Sequence, residues 1–114
     1  MGIDAPEVID AISLDESEKI VTLTIIDAWD WADEGRHLLA IQEKLNAYFT
    51  FIQSGQIFES YPKAVGKELC IDVMTQYPIT AKASELLRRA DVLAGKLNAR
   101  VTQRVLAPKS KAAK

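Results

Sequence analysis

Ile20-Val21-Thr22-Leu23-Thr24-Ile25-Ile26 is a run of mostly β-branched residues that predicts a strand over Lys19–Asp27. Neither of its two alternating faces is plainly polar, so the strand is expected to be central or to have its second face covered. A polar turn at residues 15–18 precedes it, and residues 8–14 predict another strand. The two segments therefore predict a β-hairpin.

Apolar residues at three- and four-residue spacing predict a helix after this hairpin, over about Arg36–Ser54. Asp33 is a suitable N-cap for it, and Gly55 is a suitable residue to end it. The predicted buried stripe consists of Leu38, Ile41, Leu45, Tyr48, Phe49 and Ile52. The side chains predicted to face water for the most part are Arg36, Glu43, Lys44 and Gln53.

The second half of the chain predicts a loop over Gln56–Lys67, a strand over Glu68–Tyr77 and a helix over about Ala81–Asn98 capped by Thr80. The stripe of that helix is predicted from Leu86, Ala90, Leu93 and Leu97. A fourth strand is predicted over Ala99–Leu106. The order is then ββαβαβ, which predicts an α+β two-layer sandwich with a four-stranded mixed sheet and two helices on one face. We expect a single domain over residues 1–106 and a basic flexible tail over residues 107–114.

Composition limits the classes of protein that fit this chain. The 114 residues are 48% hydrophobic and 26% charged, which is typical of one globular domain. The single cysteine, Cys70, excludes an internal disulfide, and no apolar run is long enough to span a bilayer. The first residues have neither the basic nor the apolar region of a secretory signal. We therefore expect a cytoplasmic protein that does not bind membranes.

The net charge of −2 hides an uneven distribution. Residues 1–34 hold ten acidic residues and one lysine, whereas residues 35–114 hold thirteen basic and six acidic residues. Such asymmetry indicates an interaction surface, or acidic and basic elements that neutralise each other within one fold.

The run His37-Leu38-Leu39-Ala40-Ile41-Gln42-Glu43-Lys44-Leu45-Asn46-Ala47-Tyr48 is the most specific string in the sequence. Together with Phe51-Ile52-Gln53-Ser54-Gly55, Tyr61-Pro62, Ile71-Asp72-Val73 and Tyr77-Pro78, it resembles a family of small uncharacterised bacterial proteins that share a domain of unknown function. The resemblance covers roughly residues 7–106, and members favour leucine where this chain has Ala40 and Ile41. It implies a bacterial intracellular stand-alone domain and supplies no catalytic residues.

The segment before the first helix holds the candidate ligand or interface residues, which are Trp29, Asp30, Trp31, Asp33 and His37. Two tryptophans two residues apart would share one face of an extended chain, and exposed aromatic residues anchor interfaces. The competing interpretation is that both tryptophans close one end of the core. Aspartates at three-residue spacing suggest a hard cation, but the glycine and glutamate of a calcium-binding loop are absent, so capping is the simpler explanation. No motif predicts catalytic residues, a cofactor or a metal.

The leading functional hypothesis is a non-enzymatic protein-interaction domain that forms a homodimer. Two helices cover one face of the predicted sheet, so the other face is expected to meet a partner through Ile20, Ile26 and Met74. A basic protein partner for the acidic hairpin is a second version of this hypothesis. The alternatives are a metal- or small-ligand-binding enzyme that uses the Trp/Asp-rich loop, and nucleic-acid binding through the basic C-terminal third, which the acidic sequence pI of about 5.4 disfavours.

Overall fold

The computed structural model describes residues 2–106, which form a four-stranded mixed sheet and three helices. In chain order the elements are β1 (Ala11–Asp15), β2 (Ile20–Asp27), α1 (Glu34–Gln53), α2 (Gln56–Ser60), β3 (Glu68–Thr75), α3 (Ala81–Gly95) and β4 (Ala99–Val105). The predicted α+β class and mixed four-stranded sheet are confirmed. The predicted basic tail, residues 107–114, lies outside the described residues. None of the described helices combines the length and the apolar character needed to cross a membrane.

The predicted ββαβαβ order is wrong, because the segment interpreted as a loop contains the short helix α2 and a 3₁₀ turn at Pro62–Ala64. Gly55 adopts a left-handed conformation with φ of 83°, which ends α1 and redirects the chain. Ile57 is fully buried and anchors α2 to the core. Two adjacent apolar residues, Ile57 and Phe58, in so short a segment give no periodic pattern, so the sequence offered little evidence of this helix.

The strands are arranged in the order β1-β2-β3-β4. β1 pairs with β2 antiparallel, as the hairpin requires, whereas β2–β3 and β3–β4 are parallel pairs. Each parallel pair needs a long crossover, and α1 and α3 lie within these crossovers. β3 therefore separates the acidic hairpin from the basic strand β4, so the two do not neutralise each other as neighbouring strands.

The core lies between one face of the sheet and the helices. Its central side chains are Val21, Leu23 and Ile25 of β2 and Leu69, Ile71 and Val73 of β3. The buried residues of α3 are Ala83, Leu87, Ala90 and Ala94. Of the predicted stripe, Ala90 is buried and Leu86 and Leu97 pack partly buried against the core, whereas Leu93 is 53% exposed. Short alanine side chains let a helix approach a sheet closely, so the alanine-rich line faces the core and the larger leucines flank it.

The opposite face of the sheet, here called the open face, has no helix over it within residues 2–106, because all the helices place their buried residues in the one core. Its members are the strand residues of the other parity, as the register shows. They are Ala11, Ser13, Asp15, Ile20, Thr22, Thr24, Ile26, Glu68, Cys70, Asp72, Met74, Arg100, Thr102 and Arg104.

Candidate functional site

The loop between β2 and α1 is organised by three aspartates, each of which accepts a backbone N–H a few residues further on. Asp27 Oδ1 accepts from Trp29 N at 3.0 Å, and Asp30 Oδ1 accepts from Ala32 N at 3.0 Å. Asp33 Oδ1 accepts from Arg36 N, in the first turn of α1, at 3.2 Å, so Asp33 is the N-cap of α1 that the sequence predicts. Turn and cap chemistry therefore accounts for the three-residue spacing of these aspartates.

His37 is buried at the centre of this loop, with 1% of its surface exposed. Its Nδ1 lies 2.9 Å from the carbonyl oxygen of Asp30, and its Nε2 lies 2.5 Å from Oδ2 of Asp27. Both ring nitrogens are thus held by oxygen atoms of the protein, which leaves neither available to a metal ion or a substrate. His37 is therefore a buried helix residue whose ring contacts Asp27 inside the protein.

Two aromatic side chains enclose His37. The Trp31 ring stacks on the imidazole with 3.7 Å between centroids and 22° between planes, and the Trp29 ring is tilted by 59° at 5.6 Å. The guanidinium of Arg36 lies over the indole ring of Trp29, 5.4 Å from the ring centroid. Both tryptophans pack partly buried against the core cluster. The structure thus brings Trp29, Trp31 and His37 together, and it places Asp30 and Asp33 beside them.

Trp29 also borders an exposed groove, here called the Trp29 groove. Three cavities of about 510, 250 and 130 Å³ adjoin one another there, because each has Trp29 in its lining. Their other lining residues come from the N-terminal segment, the end of β2, the loop and the first turns of α1. These are Gly2, Ile3, Asp4, Pro6, Ile26, Ala28, Asp30, Ala32, Asp33, Arg36, Leu39, Ala40 and Glu43.

A second buried polar cluster was missed by sequence reasoning, and it centres on Lys44. Its ammonium donates to the carbonyl oxygens of Ala5 and Val8, at 2.6 Å each, and lies 3.1 Å from Oδ1 of Asp10. Lys44 is fully buried, so the prediction that it mostly faces water is wrong. The sequence does place Lys44 on the same face of the helix as Ile41, Leu45 and Tyr48, which indicates burial. This indication was missed because a lysine is almost never fully buried unless it is paired.

Tyr48 joins this cluster to the sheet. Its hydroxyl accepts from the backbone N of Asp10 at 2.9 Å and donates to the carbonyl oxygen of Thr24 at 2.6 Å. Burial raises the pKa of the Tyr48 hydroxyl far above its ordinary value, so it remains a protonated donor. The N-terminal segment is therefore fastened to both α1 and β2.

The open face carries a row of polar contacts between β3 and β4. Asp72 accepts from Thr102 Oγ1 at 2.9 Å and from Arg104 Nε at 2.6 Å. The thiol of Cys70 lies 3.5 Å from Thr102 Oγ1.

The three predicted dimer-interface residues share this face: Ile26 is 41% exposed, and Ile20 and Met74 are partly exposed. Ile26 and Met74 are direct neighbours in the β2–β3 register.

A model of a protein family of unknown function, DUF6572, matches residues 1–107. The chain belongs to this family. Membership in DUF6572 supplies no activity, ligand or partner, so function must be inferred from the geometry. No curated protein and no solved structure is significantly similar to this DUF6572 chain. Among the described residues of this family member, no group of three or more histidine, cysteine, aspartate or glutamate side chains is arranged to hold a metal ion.

Tyr48→Phe tests the link between the N-terminal segment and the sheet in this DUF6572 domain. Loss of the hydroxyl leaves the N–H of Asp10 without its acceptor, so we expect the free energy of unfolding to fall by about 1–2 kcal/mol. Urea unfolding followed by circular dichroism measures it. Tyr77→Phe is the matched control, because Tyr77 is 44% exposed and its change should stay within about 0.5 kcal/mol. Equal effects of the two variants would contradict a structural role for the Tyr48 hydroxyl.

Proposed function

We propose that this protein is a non-enzymatic interaction domain that forms a homodimer through its open face. The observation that carries this proposal is the parallel ladder of β2, β3 and β4, which has helices on one face only within the described residues. All-parallel sheets occur almost only with both faces covered, and three of the four strands here form a parallel ladder. A second copy of the sheet would supply the missing layer.

The position of the exposed apolar residues supports a symmetric arrangement. Ile26 on β2 and Met74 on β3 are register partners on the two central strands, near the carboxyl ends of both. A two-fold axis that runs along the strands between β2 and β3 would place Ile26 of one protomer over Met74 of its partner, and the reverse contact would form at the same time. The two residues are therefore self-complementary in this arrangement.

The charges at the two edges support the same axis. Asp15 is on the open face of β1, and Arg100 is on the open face of β4, toward the same end of the strands. The axis that pairs Ile26 with Met74 also lays β1 of one protomer over β4 of the other. Asp15 of each protomer would then lie near Arg100 of the partner, which also pairs with Glu68 of its own chain, and this favours the register over one that superimposes like edges.

The enzymatic alternative draws little support from the candidate site. Both nitrogens of His37 are bound by protein oxygen atoms, and Asp27, Asp30 and Asp33 hold backbone N–H groups. A general base must reach a substrate proton, directly or through one water. A buried imidazole with two protein partners does not offer that reach.

The nucleic-acid alternative draws little support from the arginines. Phosphate binding uses basic side chains that are free to replace counterions. In the part of the chain that the structure describes, Arg88 and Arg89 bind Glu85, Arg100 binds Glu68, and Arg104 binds Asp72.

The sequence resemblance and the single cysteine support a bacterial cytoplasmic setting for the proposed dimer.

Met74→Lys tests the proposal. An ammonium in place of the thioether would face the partner's Ile26 without a counter-charge, so we expect the variant to be monomeric at micromolar concentrations where the unmodified protein is a dimer. Sedimentation equilibrium measures the mass. Leu93→Lys is the matched control, because Leu93 is exposed on α3 at the opposite side of the domain, and it should remain dimeric. A monomeric unmodified protein would overturn the proposal, as would a dimeric Met74→Lys variant.

A further inference from the structure

The Trp29 groove has a strongly acidic lining. Four of its side chains are exposed carboxylates, Asp4, Asp30, Asp33 and Glu43. Within residues 2–106 none of these four forms an ion pair. Arg36 is the single cationic side chain in the lining, so the charged groups of the groove sum to −3.

The middle of the groove is apolar and aromatic. Trp29 is partly exposed and lines all three cavities, and Leu39 on α1, which lines one of them, is 55% exposed. Arg36 lies over the Trp29 ring, which shows that this indole accepts a guanidinium on its face. The groove therefore offers an aromatic anchor, an aliphatic contact and a surrounding excess of negative charge.

We propose that the Trp29 groove is a docking site for a positively charged segment of another protein. An apolar side chain of that segment would lie between Trp29 and Leu39, and flanking lysine or arginine side chains would meet the carboxylates. Aromatic residues at the centre of a contact and charges at its rim are the usual arrangement of a protein interface. This inference does not depend on self-association, which concerns the open face; the two surfaces share one residue, Ile26.

The shape of the groove favours an extended segment over a small molecule. Small-ligand sites bury most of the ligand surface. Here most of the residues that line the cavity of about 510 Å³ are themselves exposed, namely Ala28, Asp30, Ala32, Asp33 and Arg36. Three cavities that adjoin along one surface instead resemble the path of a peptide with several side chains. The basic residues on α3 of a second copy of this chain would fit the groove less well, because Arg88 and Arg89 already bind Glu85.

The test uses two synthetic pentapeptides with blocked ends, one alternating lysine with leucine and the other alternating glutamate with leucine. The two tryptophans give two indole N–H signals in a proton–nitrogen NMR spectrum, which Trp29→Phe assigns. We expect the lysine peptide to shift the Trp29 signal in a saturable way and to leave the Trp31 signal, whose ring stacks on His37, nearly in place. The dissociation constant should rise several-fold between low and physiological salt, because salt screens exposed charges.

The matched variants remove charge and keep the loop. Asp30→Asn with Asp33→Asn retains the side-chain oxygens that form the turn and cap the helix, since asparagine caps as well as aspartate. We expect this double variant to bind the lysine peptide about tenfold more weakly. Glu59→Gln, at an exposed position on α2 outside the groove, should bind as the unmodified protein does.

Several results would overturn the proposal. They are equal shifts with the glutamate peptide, an unmoved Trp29 signal, and equal weakening by Glu59→Gln and by the groove variant. A Trp29 signal that shifts with protein concentration alone in the Met74→Lys variant, which lacks the open-face contact, would assign the groove to a second copy of the chain and would also overturn it.

Discussion

Lys44→Met is expected to lower the free energy of unfolding by about 3–5 kcal/mol, the usual cost of removing one partner from a buried ion pair. The variant removes the counter-charge of the Asp10 carboxylate, which keeps only backbone N–H donors, and it removes the ammonium donor from the carbonyl oxygens of Ala5 and Val8. For a domain of this size the midpoint of thermal unfolding should fall by roughly 10–20 °C. Urea and thermal unfolding followed by circular dichroism measure both quantities.

Lys82→Met is the matched control for this prediction. Lys82 is exposed on α3, so the same chemical change should alter the free energy of unfolding by less than about 0.5 kcal/mol. If Lys44→Met were as mild as the control, the ammonium would contribute nothing net, and the description of Lys44 as the anchor of the N-terminal segment would be wrong.

His37→Phe is expected to cost about 3 kcal/mol, because it strands the Asp27 carboxylate in the protein interior. Phenylalanine keeps a ring against Trp31 and removes both hydrogen bonds of the imidazole, so the change isolates the polar contribution. Urea unfolding at neutral pH provides the measurement.

Asp27→Asn supplies the second arm of a double-mutant cycle. In the unmodified background it replaces the carboxylate that contacts Nε2 of His37 by an amide and should destabilise the protein by about 1 kcal/mol. In the His37→Phe background it removes a stranded charge and should stabilise the protein instead. The same destabilisation in both backgrounds would refute the direct coupling of Asp27 and His37.

Patterns of apolar residues were sufficient to predict most of the fold. Alternation in β2 located the hairpin and the central strand, and Asp33 and Thr80 located the starts of α1 and α3. Asp27 is the instructive case in β2. It continues the parity of Val21, Leu23 and Ile25, so the alternation already placed its carboxylate on the buried face.

The polar interior was harder to predict, because each buried group is explained by a partner far away in the sequence. Lys44 looks like a surface residue until Asp10, 34 positions earlier, is known to accept from it. His37 has no visible role until the loop folds back and brings Asp27 to its ring. The pattern of polar and apolar residues predicts which positions face water, but it does not show which partner can bind a buried polar group. That partner is known only from the tertiary structure.

The parallel strands also determine how the chain must fold. Ile20 pairs with Glu68 and Asp27 with Thr75, 48 positions further along in each case. Closing so long a loop costs chain entropy before any hydrogen bond of the ladder compensates for it. The hairpin and the helices rely on local contacts, so they are expected to form early, and the β2–β3 ladder is expected to form late. Refolding should then take milliseconds to seconds, as in other domains in which many strand pairs are distant in the sequence. Until the β2–β3 ladder has formed, the central strands present unpaired edges to neighbouring molecules.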